Sequence, residues 1–176
     1  MRGRDASKIE VNKGLYPFEI KPIRTSPALV LLGVFIGKPQ STGARLDTLR
    51  SWQLESPNDF ERQMSALGEL SRDAIDAWES QNFRALTSLA RLYVDGLKTL
   101  GDSISEEIIP PQIDHLNQTL RQLGTTAKTT GAGGGDMAWV LCEDSEHRRD
   151  CIAKLQDDFA IYELPISPNG ISVKHP

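Results

Sequence analysis

Between Ser56 and Gly124 the sequence carries three helical patterns in a row with no strand pattern among them, which excludes a strict βαβα alternation and a purely parallel sheet. The first pattern opens at Ser56-Pro57-Asn58-Asp59, where a serine can cap, a proline takes the first helical position and an acid sits in the first turn. Phe60, Met64, Leu67, Leu70, Ala74 and Trp78 then recur every three to four residues, one face of a long helix. A second stripe runs from Phe83 through Leu86, Leu89, Ala90, Tyr93, Val94 and Leu97 to Leu100, and Gly101 reads as its stop. The third begins near Pro110-Pro111, shows Ile113, Leu116, Leu120 and Leu123, and ends at Gly124. All three stripes read as core-facing, and the first two helices are expected to pack antiparallel.

Strand patterns flank this helical block. Tyr16, Phe18, Ile20 and Ile23, with Pro17 and Pro22 among them, fit an edge strand. Ala28 to Ile36 reads as a buried strand, apolar on both faces. Gly37-Lys38-Pro39-Gln40-Ser41-Thr42-Gly43 is a turn cluster in which Ser41 or Thr42 can cap a helix running through Leu46 and Leu49 to about Trp52. After Gly124 come a short β-prone stretch, a glycine loop, and a second β-prone stretch from Met137 to Cys142. A last helix within Glu143 to Phe159 and a closing strand from Phe159 to Leu164 complete the order. The expected fold class is α+β: an antiparallel sheet with helices packed on one face, formed by residues 15–165 between a lead-in (1–14) and a tail (166–176).

A chain of 176 residues with 39% hydrophobic and 25% charged side chains has material for one sizeable core. Twenty basic against twenty-four acidic residues leave a formal charge of −4, so nucleic acid and anionic membrane surfaces are not expected partners. The run from Ala28 to Ile36 is far shorter than the ~20 apolar residues needed to cross a bilayer. Met1-Arg2-Gly3-Arg4-Asp5 has no apolar stretch after it of the kind a secretory signal needs, so the cytoplasm is the expected compartment. Cys142 and Cys151, eight residues apart, match no zinc or CxxC spacing and read as reduced thiols, and no metal ligand set is expected.

One segment exceeds what core packing requires. Lys128-Thr129-Thr130-Gly131-Ala132-Gly133-Gly134-Gly135-Asp136 places four glycines in five positions, an entropic burden that makes sense where the backbone needs positive φ or an approach unhindered by Cβ. A plain hairpin turn needs only one or two glycines. Successive bare N–H groups in such a turn can form a concave nest for phosphate oxygens. The spacing is not that of a P-loop, because Lys128 precedes the glycines. Nor is it a dinucleotide fingerprint, because position 136 is aspartate.

Ala127-Lys128-Thr129-Thr130-Gly131-Ala132-Gly133-Gly134-Gly135-Asp136 resembles the third motif of the GHMP small-molecule kinases, in the version found in phosphomevalonate kinases. Pro111-Gln112-Ile113-Asp114-His115-Leu116, followed by Gly124, is similar to the helix that precedes that motif, and Gly37-Lys38-Pro39-Gln40-Ser41-Thr42 is similar to their Gly-x-x-x-Ser-Thr segment. The likeness runs from about residue 15 to 165. Two departures bear on the acceptor: Phe35-Ile36 stands where these kinases tend to carry Trp-Thr or Trp-Ser, and Met137-Ala138 where they carry Cys-Gly. The family's Pro-x-x-x-Gly-Leu-x-Ser-Ser-Ala nucleotide segment does not occur in the 176 residues, so the resemblance is to the C-terminal half alone, with its ferredoxin-like domain.

The resemblance implies phosphoryl transfer to a phosphorylated or hydroxylated small acid, with ATP and Mg2+ bound only in the complete two-half enzyme and a separate N-terminal half as partner. It implies that Thr130, Gly131 and Ala132 meet the acceptor and the transferring phosphate, while Gly133, Gly134 and Gly135 brace the phosphate loop of the other half. Lys128 is either a point charge for phosphate or a salt-bridged surface lysine, and Thr129 belongs to the same phosphate-binding stretch. Asp136 either orients the loop or sits near magnesium. Ser41 and Thr42 either present hydroxyls to an acceptor phosphate or cap their helix. No residue is assigned a catalytic role, and His115, His147 and His175 are assigned none. The competing expectation is a catalytically incomplete domain that serves as a non-enzymatic binding or assembly module.

Overall fold

The computed structural model describes residues 29–37, 42–131 and 135–165. The edge strand expected at Tyr16 to Ile23, the lead-in and the tail lie outside the described residues. The described elements run β1 (Val30–Phe35), α1 (Thr42–Glu55), α2 (Pro57–Glu79), α3 (Phe83–Ile104), α4 (Pro111–Leu120) with a 3-10 turn at Arg121–Leu123, β2 (Ala127–Thr129), β3 (Met137–Cys142), α5 (Ser145–Leu155) and β4 (Ile161–Leu164).

The four strands form one antiparallel sheet in the order β2-β3-β1-β4. Pairs from Val30↔Cys142 to Phe35↔Met137 join β1 to β3, so the strand before the helical block lies at the sheet centre beside the second strand after it. Alternation sorts the side chains. Leu32 and Val34 of β1, Ala138, Val140 and Cys142 of β3, and Ala127 and Thr129 of β2 are all at 0% exposure on one face. Against them pack Val94, Leu100 and Ile104 of α3, Ile113, Leu116 and Leu120 of α4, and Cys151 and Leu155 of α5. Each fully buried aliphatic side chain contributes about 1.5–3 kcal/mol, which makes this layer the principal source of stability. The α+β fold with an antiparallel sheet is therefore the one the sequence pattern leads to. In addition, the tip of the α2–α3 hairpin contributes Ala77, Trp78, Phe83 and Leu86 to a smaller cluster with Leu31, Trp139 and Leu141 of the opposite sheet parity.

Local signals explain most boundaries. Pro57 occupies the first turn of α2. Asn82 caps α3, its Oδ1 accepting from the Ala85 amide at 3.0 Å, and Asp144 caps α5 by accepting from the Glu146 and His147 amides at 2.9 and 2.8 Å. Gly124 ends the 3-10 turn in the left-handed conformation, φ 74°. Two boundaries differ from expectation. The first helix runs beyond Trp52 to Glu55, and α3 does not stop at Gly101 but continues to Ile104, with Ser105 left-handed at φ 56°. The reason Gly101 is glycine is close approach: the Glu106 amide donates to the Gly101 carbonyl at 2.9 Å, and a Cβ on Gly101 would lie 2.5 Å from the Glu106 carbonyl oxygen. Arg45, buried in α1, ties that helix to the same connection by donating from Nη2 to the Glu107 carbonyl at 2.7 Å.

Candidate functional site

The glycine segment is the connection of the β2–β3 hairpin, whose register is Ala127↔Val140, Lys128↔Trp139 and Thr129↔Ala138. Above the last of these pairs, Thr130 donates both its amide (3.0 Å) and its hydroxyl (3.1 Å) to the Met137 carbonyl. Gly131 follows in the left-handed conformation, φ 58°, which a β-branched residue would adopt only with strain. Thr130 and Gly131 are exposed, and Gly135 and Asp136 are half-buried where the chain returns. Ala132, Gly133 and Gly134 lie outside the described residues.

The end of β1 meets this hairpin. The Ile36 amide donates to the Asp136 carbonyl at 2.7 Å, which brings the chain leading into Lys38–Thr42 to the same end of the sheet as the glycine segment. Ile36 and Asp136 thus meet although about a hundred residues separate them. Ser41 lies outside the described residues, and Thr42 is the first residue of α1. The Asp136 carboxylate has no hydrogen bond or ion pair among the described residues.

Thr129 and Lys128 occupy opposite faces of β2. Thr129 is fully buried on the core face and its hydroxyl has no partner among the described residues, so its side chain does not reach the mouth of the hairpin. Lys128 is half-buried on the other face. Its Nζ donates to the Thr129 carbonyl at 2.9 Å and lies 5.3 Å from the centroid of the Tyr93 ring. Burial lowers its pKa from the ordinary lysine value. Among the described residues Lys128 therefore has neither a carboxylate partner nor the position of a surface ion pair.

Two contributors escape sequence reasoning. Asn117 of α4 accepts at Oδ1 from the Ala127 amide (2.6 Å) and the Thr126 hydroxyl (2.9 Å), and donates from Nδ2 to the Ala127 carbonyl (3.2 Å). Tyr93 is legible in sequence only as part of the α3 stripe, because nothing local pairs it with Lys128. The histidines of the described residues have other partners: His115 lies 3.8 Å from Asp158 and packs against Phe159, and His147 accepts from the Glu143 amide at 3.2 Å and packs edge-on to Phe83.

No group of three or more potential metal ligands occurs among the described residues, and no helix among them is long and apolar enough to cross a membrane. Cys142 and Cys151 are free thiols, both buried. The hydrogen bond with Cys151, together with burial, pushes the Cys142 thiol far above its ordinary value. A cleft of about 720 Å³ bounded by Arg84, Gly124, Asp144 and His147 lies at the other end of the β2–β3 pair from the glycine segment.

Comparison with known proteins agrees with this geometry. Residues 81–161 match the family of GHMP kinases, C terminal. Phosphomevalonate kinase of Streptomyces sp. (strain CL190) is 28% identical over 169 residues, which cover 93% of this chain and 45% of that protein. The crystal structure of the Streptococcus pneumoniae phosphomevalonate kinase in complex with phosphomevalonate and AMPPNP superimposes with a TM-score of 0.67 at 15% identity, covering 83% of this chain and 43% of that one. That of L. major mevalonate kinase in complex with R-mevalonate gives 0.67 at 21% identity, covering 81% and 44%. The chain spans less than half the length of each of these proteins. Residues 81–161 are therefore similar to the C-terminal domain of GHMP kinases, and the chain shares its fold with these solved kinases.

Proposed function

We propose that this chain acts as the C-terminal half of an ATP-dependent small-molecule kinase resembling phosphomevalonate kinase, with a phosphorylated or hydroxylated small acid as acceptor. The observation that carries the reading is the mouth of the β2–β3 hairpin, where the exposed Thr130-Gly131 backbone, left-handed at Gly131, lies at the same end of the sheet as the end of β1. Bare amides in such a turn carry partial positive charge and suit an oxyanion. Phosphoryl transfer needs that charge complemented by metal and cationic groups on the far side of the phosphate. ATP and Mg2+ are accordingly assigned to the assembly of this chain with an N-terminal half, here treated as a separate partner, and a cytoplasmic site of action suits such a kinase.

Within this reading Gly131 and Ala132 offer amides to the transferring phosphate, Gly133 to Gly135 brace the partner's phosphate loop, and Ser41 and Thr42 stand near the acceptor. Asp136 has its carbonyl committed to Ile36 and its carboxylate without a partner among the described residues. The test is to combine the purified chain with the N-terminal half of the Streptomyces phosphomevalonate kinase and to follow ADP release with phosphomevalonate as acceptor. Turnover that Gly131→Val abolishes supports the proposal, and no turnover across a range of hydroxy acids and their phosphates removes it.

A second reading, a non-enzymatic binding or assembly module, draws on the sheet face where Phe35 and Tyr162 are 45% and 53% exposed. Its mark is a stable protein complex that tolerates Gly133→Val and Gly134→Val.

A further inference from the structure

The peptide unit between Thr129 and Thr130, the last before Gly131, is held at both ends. Its N–H donates to the Met137 carbonyl at 3.0 Å, and its carbonyl accepts from Lys128 Nζ at 2.9 Å. The direction of this plane sets where the chain enters the glycine turn and hence where the Gly131 amide points. Lys128 is therefore joined to the turn through the backbone. On its other side, the same ammonium lies over the ring of Tyr93, on α3. A cation at that distance from an aromatic face is attracted by the ring's negative quadrupole, more strongly once water has been removed.

We propose that Tyr93 and Lys128 form a pin that sets the glycine hairpin: Tyr93 holds the ammonium, the ammonium holds the Thr129 carbonyl, and both act as positioning residues and not as phosphate ligands. The proposal rests on the reading that the hairpin receives an oxyanion. It rests equally on geometry. Lys128 faces Trp139 across the strand pair, and its half-buried ammonium has found a carbonyl and a ring face in place of water. Burial, which lowers the lysine's pKa, would be costly for an ammonium that lacked both.

The experiment is a double-mutant cycle on the whole chain, with inorganic pyrophosphate as probe by calorimetry and amide hydrogen exchange by NMR as a second readout. Lys128→Met and Tyr93→Leu are each expected to weaken pyrophosphate binding about tenfold and to speed exchange at Thr130, whose amide is bonded to Met137, while exchange in α4 and β3 stays as in the parent. The double variant is expected to be no worse than either single one, because both remove the same contact. Tyr93→Phe keeps the ring face and is expected to stay within about twofold of the parent. If Lys128→Met weakens binding while Tyr93→Leu does not, or the two effects multiply, Lys128 touches the anion directly and the pin is overturned. Should the parent chain bind no pyrophosphate, it is the oxyanion reading that fails. The exchange data then decide the pin alone, and unchanged exchange at Thr130 in Tyr93→Leu and Lys128→Met refutes it.

Discussion

Asn117 closes both hydrogen-bonding groups of Ala127: its Oδ1 accepts from the Ala127 amide at 2.6 Å and its Nδ2 donates to the Ala127 carbonyl at 3.2 Å. Among the described residues β2 is an edge strand with β3 as its one neighbour in the sheet, so α4 supplies through a side chain what a further strand would supply through its backbone. Ala127 is fully buried, and backbone groups left there without partners would cost free energy that water cannot return.

Asn117→Ala should lower stability by about 3 kcal/mol, since unpaired buried polar groups cost about 1–3 kcal/mol each. Asn117→Asp keeps the acceptor and loses the donor, so it should fall between. Urea denaturation of the three proteins checks this, and a loss under about 1 kcal/mol for Asn117→Ala would show that water reaches Ala127.

Gly101→Ala separates two views of the same position. Helix propensity alone makes alanine better than glycine inside a helix by about 1 kcal/mol. The chain folded back over Gly101 opposes this, because a Cβ there meets the Glu106 carbonyl oxygen at 2.5 Å, a backbone atom that cannot swing aside. The expected outcome is a loss of about 1–3 kcal/mol in thermal or urea unfolding, as for other overpacked sites. A gain would mean that the Ser105–Ile108 turn is displaced at little cost.

Gly131→Val should destabilise the domain by about 1–3 kcal/mol, because a β-branched residue is held at φ 58° against its steric preference. Gly131→Asn, which tolerates the left-handed region, should lose less. Thermal unfolding of both, with the Asn variant closer to the parent, checks the conformation independently of any ligand.

The thiol pair gives a pH dependence. In the fold the Cys142 proton is held more tightly than in the unfolded chain, where the thiol titrates near 9.0. Above that pH the unfolded state binds fewer protons than the native state, so this contribution to stability is present in full below pH 9 and declines as pH rises past it. Cys151, on the other side of the same hydrogen bond, is held below its ordinary value, so it is the replacement of both thiols, Cys142→Ala with Cys151→Ala, that should leave a shallower alkaline decline, measured by urea unfolding between pH 7 and 10 in steps of about half a unit. Ellman's reagent should label both cysteines of the native protein only as fast as it opens, since both side chains are at 0% exposure.

The sequence by itself determined the order of elements, the α+β class and the glycine hairpin, because these depend on signals local in the chain. Stripes with a period of three to four mark α2 to α4, prolines mark the starts of α2 and α4, and glycines too numerous for a plain turn mark the β2–β3 connection. Gly101 shows where local reading fails: a glycine beside a run of helix looks like a stop, and only the chain folding back on it reveals a demand for space. Tertiary structure alone decided that Ile36, at the end of β1, bonds Asp136, at the return of the glycine hairpin. It decided too that Thr129 turns inward to the core while Lys128 faces Tyr93, and that Asn117 completes the edge of β2. Each of these pairings joins residues remote in the chain through hydrogen bonds or ring contacts of a few ångströms, and pattern along a chain carries no record of which distant partner lies within reach.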